Sequence, residues 1–476
     1  MNLVEWVKMT CGNVSFSIIL LQLTSPIKGT DSGIINSIIK TAVVPPVLLA
    51  VAAVLCYLFI VRGMYALEDL PVKKIPRWSK ICIEVVMVVF FLHTVQVQGT
   101  EIGMWDYIQS VRESSDFYEK EYVNPAKVKM TFPKEKKNLI YIFMESMESS
   151  YADKEDGGTM DDNYIPNLTK LARENVQFTD KKDGKVGGPV CLEATAYTAG
   201  GLVAQTSAIN LKVMNSGAVS DSFLPNLTAL GDILNKQGYN QMFLCGSDGD
   251  FAGRDAYFKT HKDYQIEDYK AAIKEGDIPK DYKVYWGHED KVLYERAKKN
   301  LKKLSKEGKP FNLTMLTVDT HFPNGYICDL CENKYDTTYG NAVACADRQV
   351  YDFVQWIKKQ DFYEDTTIII AGDHTSMVDT GSKFWKSLSN DYQRTVYNAI
   401  INPQCAYKKK VTTKRKFSTM DMFPTTLAAL GVEIDGNKLG LGTNLFSGEE
   451  TLREELGANY INKELKRNDK MYNQFY

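Results

Sequence analysis

Downstream of residue 133 the chain carries apolar, β-branched runs of strand length at NLIYIFM (138–144), YNQMFLC (239–245), FNLTMLTV (311–318), TTIIIA (366–371) and VYNAII (396–401). Several are continuous rather than alternating, as expected of strands buried on both faces. Between them lie helical patterns: PNLTKLAREN (166–175), PNLTALGDILNKQ (225–237), EDKVLYERAKKNLKKL (289–304), ADRQVYDFVQWIKKQ (346–360) and MDMFPTTLAALG (420–431). The alternation predicts an α/β domain with a mostly parallel central sheet and helices on both faces. Pro166 and Pro225 each stand at the favoured first turn of a helix, so the repeated PNLT reads as two helix starts rather than a duplicated unit.

Upstream the pattern changes. Residues 41–61, TAVVPPVLLAVAAVLCYLFIV, are unbroken apolar chain, long enough to cross a hydrocarbon core of roughly 30 Å at about 1.5 Å per helical residue. Residues 81–97, ICIEVVMVVFFLHTVQV, predict a second span whose Glu84 and His93 need partners or an interfacial depth. The loop between them holds Arg62, Lys73, Lys74, Arg77 and Lys80 against Glu68 and Asp69. The positive-inside bias puts that loop in the cytoplasm and everything after residue 98 outside. The stretch before residue 38 shows no signal peptide, and SFSIILLQL (15–23) is too short to span. Either a further membrane segment precedes it or it lies on the membrane surface. The expected organisation is a membrane region (1–98), an amphipathic connector acting as a stalk (99–133), a catalytic domain (134–445) and a C-terminal tail (446–476).

Composition narrows the class. Lys plus Arg number 57 against 59 Asp plus Glu, a net charge of −2, so there is no basic excess of the kind nucleic-acid binding requires. Among nine cysteines only Cys328 and Cys331 are closely spaced, with Cys345 downstream, and a second pair that would complete a zinc ribbon is missing. A disulfide among these three and a reduced, merely packed set are equally open readings.

Candidate chemistry gathers where strands end, since parallel sheets present functional residues beyond their carboxyl edge. NLIYIFM runs into Glu145-Ser146, YNQMFLC into Gly246-Ser247-Asp248, FNLTMLTV into Asp319-Thr320-His321, and TTIIIAG into Asp373-His374. Glu145, Asp373 and His374 form a mixed oxygen and nitrogen set suited to Mn²⁺, Mg²⁺ or Zn²⁺. A single Asp-His dipeptide is most often a surface or capping feature; convergence of several strand ends is harder to dismiss. In EATAYTAGGLVAQTS (193–207), Thr198 precedes Gly200-Gly201. Small residues there allow a helix start to approach closely and offer its N–H groups to a phosphate. A Thr hydroxyl that ligates a cation becomes a nucleophile, whereas the bland alternative is an N-cap.

The motifs NLIYIFMESMESS, YTAGGLVAQTS, GSDGDFAGRDAYFKTH, WGHED, TVDTHFPNGY and AGDHTSM resemble those of the lipoteichoic acid synthase and phosphoglycerol transferase family, from about Lys137 to Leu430. The resemblance implies an alkaline phosphatase/sulfatase-like fold preceded by transmembrane helices. It implies one divalent metal ion, Mn²⁺ first with Mg²⁺ or Zn²⁺ as alternatives, bound by Glu145, Thr198, Asp373 and His374. Thr198 is then also the covalently modified nucleophile, while His321 stands near the substrate phosphate and Arg254 contacts the donor. Asp248 and Asp290 occupy motif positions as well. Two departures are visible: many members carry more membrane helices, and where the synthases have a Trp beside the substrate arginine this chain shows Phe251-Ala252-Gly253.

The implied reaction moves phosphoglycerol from a membrane phospholipid, expected to be phosphatidylglycerol, to a polyglycerol phosphate or glycan acceptor at the bacterial cell membrane. The rivals are phosphoethanolamine transfer, another hydrolase of the same fold, and an inactive wall-binding scaffold. A sulfatase-type Cys or Ser followed by x-Pro-x-Arg is missing from the outer domain. With only His261, His288, His321 and His374 outside the membrane region, a two-zinc phosphatase is short of imidazole.

Overall fold

The computed structural model describes residues 38–66, 77–212, 222–262 and 264–476, together with Phe16, Ile19, Leu20 and Asn36. The five expected strands form and a short sixth joins them: β1 (Asn138–Met144), β2 (Asn240–Cys245), β3 (Gln265–Glu267), β4 (Phe311–Leu316), β5 (Thr366–Gly372) and β6 (Asn398–Ile401). They pair in the order β3-β2-β4-β1-β5-β6, parallel throughout except β6, which runs antiparallel to β5. The domain is an α/β fold with the mostly parallel sheet that the strand pattern predicts.

Strand periodicity explains why β1 is apolar at every position. Leu139, Tyr141 and Phe143 point into one core, while Ile140, Ile142 and Met144 point into the other, and all are fully buried. The second core is closed by α4 (Pro166–Glu174), α8 (Asp290–Leu304) and α9 (Thr338–Ile357). The first is closed by α5 (Thr198–Ser207), α6 (Leu230–Lys236), α7 (Arg254–Thr260) and α10 (Met422–Ala429).

Pro166 opens α4 as expected, with the Asp347 carboxylate accepting the N–H groups of Asn167 and Leu168. Pro225 does not open a helix. It follows Leu224, whose φ of 52° turns the chain, and α6 starts at Leu230, where Asp232 Oδ2 accepts the Ala229 N–H. A side-chain cap from Asp232, seven residues on, outweighs the local preference of proline.

The connector and the tail are not peripheral. Ser114–Ser115 pairs with Asn468–Asp469, and Met130–Thr131 with Glu433–Ile434. Phe117, Tyr118, Tyr472 and Phe475 are buried in the first core, and Ile461 and Leu465 of α11 (Ala458–Lys466) join them. The stalk expected over 99–133 is therefore packed into the domain from Ser114 on, because its aromatics meet those of the C-terminal segment.

Both expected apolar runs are helical, as α1 (Val44–Ala66) and α2 (Arg77–Glu101). Among the described residues no single helix is long and apolar enough to cross a membrane. Residues Glu84–Glu101 pass that test only together with α3 (Met104–Arg112), across a bend of 76°. The last turns of α2 carry His93, Thr94, Gln96, Gln98 and Glu101, which dilute its apolar stretch. Leu48, Leu49, Phe90 and Phe91 are nonetheless exposed. Lys73, Lys74, Glu68 and Asp69 of the charged loop, and most of 15–23, lie outside the described residues.

Candidate active site

Strand register builds the site. Met144 is paired with Gly372, so the next residue of each strand, Glu145 and Asp373, leaves the sheet side by side. Immediately after Glu145 the chain turns at Ser146, with φ of 52°. The Ser146 N–H donates to Asp373 Oδ1 at 2.8 Å and its hydroxyl to Glu145 Oε1 at 2.9 Å. A non-glycine residue in the left-handed region is costly unless such bonds hold it.

His374 completes the group. Its Nδ1 lies 2.8 Å from the Thr375 carbonyl; since a carbonyl only accepts, Nδ1 carries a proton, which leaves Nε2 facing the carboxylates as the atom that would ligate a metal. That Nε2 lies 3.3 Å from Glu145 Oε1 and 3.5 Å from Asp373 Oδ2. One ligand atom from each of Glu145, Asp373 and His374 lies within 4.8 Å of the others, and all three residues are buried. Asp373 Oδ2 has no hydrogen-bond partner, an uncompensated oxygen of the kind a cation satisfies. These residues fit a divalent metal.

The electrostatics agree. Burial opposes charge on Glu145, but His374 and His321 outweigh it and hold the carboxyl well below the usual carboxylate range. Asp373 is pushed up to about 8, by burial first and then by the charge of Glu145. Burial also works against the His374 cation, yet Asp373 and Glu145 overcome it and raise the imidazole to about 10. A buried site with two carboxylates and one imidazole holds surplus negative charge, which a proton or a metal must offset.

Thr198 is the first residue of α5, with Tyr197 at the N-cap position making no side-chain cap. Its hydroxyl is not a cap either: Oγ1 donates to Glu145 Oε2 at 3.2 Å and lies 3.4 Å from His374 Nε2. The small residues do what their position suggested. A Cβ on Gly201 would sit 2.1 Å from the Asp373 carbonyl oxygen, so only glycine lets the helix start this close to the β5 loop. Gln205 Nε2 reinforces the approach by donating to the Gly372 carbonyl at 2.9 Å.

The remaining candidates divide. His321, partly buried beyond β4, lies 2.9 Å through Nδ1 from the Phe322 carbonyl, which leaves Nε2 open, and desolvation lowers its pKa. Arg254 is buried, with Nε donating to the Phe251 carbonyl at 3.0 Å and Nη2 to that of Asp248 at 2.8 Å. Asp248 pairs with Lys270 at 2.6 Å. Asp290 is no part of the metal group: its two oxygens accept the Val318 and Asp319 N–H groups and shape the loop that carries His321. A tryptophan from another segment packs against Phe251, whose ring centroid lies 5.4 Å from the Arg254 guanidinium. Trp286 of WGHED has its ring centroid 5.2 Å from Phe251 and 4.6 Å from His321. No periodicity signals that contact. Cys331 and Cys345 form a disulfide between the loop after His321 and α9, and the Cys328 sulfur lies 3.6 Å from that of Cys331.

Comparison with known proteins fits this geometry. The Sulfatase family model matches residues 137–432, more than half of the chain. Phosphoglycerol transferase I of Salmonella choleraesuis is 33% identical over 340 residues, covering 69% of this chain and 41% of the relative. The chain thus spans about two fifths of the length of such curated relatives. Among solved structures, the lipoteichoic acid synthase LtaP of Listeria monocytogenes is 18% identical over 67% of this chain and 79% of that one, with a TM-score of 0.53. The integral membrane protein lipooligosaccharide phosphoethanolamine transferase A (EptA) of Neisseria meningitidis is 16% identical over 90% of this chain and 82% of that one, with a TM-score of 0.51. At these identities the structural likenesses establish the fold.

Proposed function

The chain belongs to the sulfatase family, and on that premise we propose that it is a membrane-anchored, metal-dependent transferase that moves phosphoglycerol from a membrane phospholipid to a cell-envelope acceptor through a covalent intermediate on Thr198. The observation that carries this reading is the position of Thr198 Oγ1 at a helix start, within reach of both Glu145 Oε2 and His374 Nε2. The curated relatives named phosphoglycerol transferase I favour phosphoglycerol as the group transferred.

A divalent cation, Mn²⁺ in the first instance, held by Glu145, Asp373, His374 and Thr198 would let the threonine hydroxyl ionise near neutral pH and would offset charge on the phosphate. Thr198 Oγ bonds to phosphorus as the bond from phosphorus to the diacylglycerol oxygen breaks. The proton that Thr198 gives up balances the one the departing oxygen gains, with His321 as the nearby carrier. Arg254 keeps Nη1 for a phosphate oxygen, while Nε and one Nη2 hydrogen are committed to its own loop. In the second step an acceptor hydroxyl, on polyglycerol phosphate or a glycan, gives its proton to His321 and attacks phosphorus. The bond to Thr198 then breaks and the hydroxyl is restored. The exposed apolar side chains of α1 and α2 support a membrane anchor, and the basic bias of the loop between them supports an extracytoplasmic domain; tethering raises the local concentration of a lipid donor.

The test is intact-mass and peptide mass spectrometry after incubation with phosphatidylglycerol and Mn²⁺. A phosphoglycerol adduct on Thr198, absent from Thr198→Ala, is expected. An adduct with phosphatidylethanolamine alone would reassign the donor headgroup, and none with any lipid would overturn the transferase reading in favour of a scaffold.

A further inference from the structure

The two loops that deliver the proposed metal ligands are tied to each other by an ion pair that belongs to neither ligand set. Glu148 stands three residues beyond Glu145 and is fully buried. Its carboxylate accepts the Ser376 N–H at 2.7 Å and Arg394 Nε at 3.0 Å, and it pairs with Arg394 Nη2 as well. Arg394 Nη2 also donates to the Ser376 carbonyl at 2.7 Å, and the guanidinium lies 4.5 Å from the centroid of the Trp385 ring. Ser376 is two residues beyond His374. The fork of one arginine therefore holds a carboxylate from the β1 loop and a peptide group from the β5 loop at once.

Hydroxyl bonds continue the same tie. The Tyr151 hydroxyl donates to the Ser146 carbonyl at 2.8 Å, and that of Tyr339 to Ser376 Oγ at 2.9 Å. Ser149 N–H donates to the Thr395 carbonyl at 3.0 Å, which anchors the segment bearing Arg394 to the β1 loop. Burying the Glu148 carboxylate, with Arg394 only partly exposed beside it, costs desolvation that a packed apolar pair would avoid, so the contribution of the pair lies in fixing geometry rather than in net stability. What they fix is the distance between the loop bearing Glu145 and the loop bearing Asp373 and His374.

We propose that Glu148 and Arg394 are positioning residues that hold Glu145 against Asp373 and His374 at the separation a metal ion requires; the inference rests on the metal-centre reading given above. Its specificity lies in orientation, because a bidentate guanidinium sets angle and distance together whereas a lysine ammonium is a point charge. A second buried ion pair supplies the control. Arg296 of α8 pairs with Glu267 at 2.7 Å and Asp277 at 3.0 Å; it is more deeply buried than Arg394 and joined to neither ligand loop.

The experiment measures Mn²⁺ affinity by titration calorimetry, melting temperature, and transfer activity against Mn²⁺ concentration, on the full chain in detergent. Glu148→Gln and Arg394→Lys are expected to weaken Mn²⁺ binding at least tenfold, with activity recovering towards wild type at saturating Mn²⁺. Arg296→Lys should lower the melting temperature and leave Mn²⁺ affinity unchanged. Arg394→Lys keeps the charge and loses only the fork, so it remains informative should Glu148→Gln not fold. Wild-type Mn²⁺ affinity in a folded Glu148→Gln or Arg394→Lys protein overturns the positioning role while leaving the metal centre standing. Undiminished binding in Glu145→Ala would instead overturn the metal centre, and the positioning role with it.

Discussion

Glu145, Thr198, Asp373 and His374 come together from three separate segments; Glu145, Asp373 and His374 stand out in the sequence because they follow strands, and Thr198 through the resemblance of its motif. The unpartnered Asp373 Oδ2 predicts that Glu145→Ala and Asp373→Ala lose the metal: elemental analysis of purified protein should show at least about a tenfold fall in bound Mn²⁺, and unchanged content would remove the site. His321 carries a pH signature. Burial depresses its pKa from the ordinary value of about 6.5, so it is neutral at pH 7 and its Nε2 can accept a proton. Activity that needs the neutral form is lost as pH falls through that depressed value. The acid limb of kcat/KM should therefore lie below pH ~6.5 and vanish in His321→Ala; a limb above pH ~7 would exclude His321 as the base. Arg394, by contrast, left no trace in the sequence, since an isolated arginine before a short strand looks like any surface cation.

Periodicity specifies an element wherever its own side chains decide its burial. The continuous runs became β1, β2, β4 and β5, buried on both faces. What periodicity cannot supply is contact between elements. α6 starts later than Pro225 suggested because Asp232 caps it, and the start of α5 lies against the β5 loop because Gly201 has no Cβ. Gly201→Ala must push Asp373 and Thr198 apart. An overpacked contact of this kind costs about 1–3 kcal/mol, a fall in Tm of several degrees for a domain of this size, and weaker Mn²⁺ binding should accompany it. Differential scanning calorimetry and metal titration check both; wild-type values would show that the loop yields without consequence.

On the scale of the molecule, both ends of the domain close over the same core. Tyr118 lies 5.1 Å from Tyr472 and 5.9 Å from Phe475, centroid to centroid, and the Tyr118 N–H donates to Asp469 at 3.0 Å. Truncation after Arg467 removes two buried aromatics, each worth about 3–5 kcal/mol. The expected result is a loss of more than about 10 °C in Tm or insoluble protein. An unchanged melting curve would mean that the C-terminal segment is a dispensable tail.

The sequence by itself determined the α/β class, the parallel strands and the residues waiting at their ends, because side-chain periodicity and the carboxyl-edge rule depend only on local order. Which of those residues meet was decided by tertiary structure. Register set Glu145 beside Asp373, a missing Cβ brought Thr198 to them, and Asp290 was drawn away to cap the loop of His321. The Glu148–Arg394 pair and the packing of Phe117 and Tyr118 with the C-terminal segment likewise arise from long-range packing. Such contacts join residues hundreds of positions apart, and no local pattern encodes the distance between them.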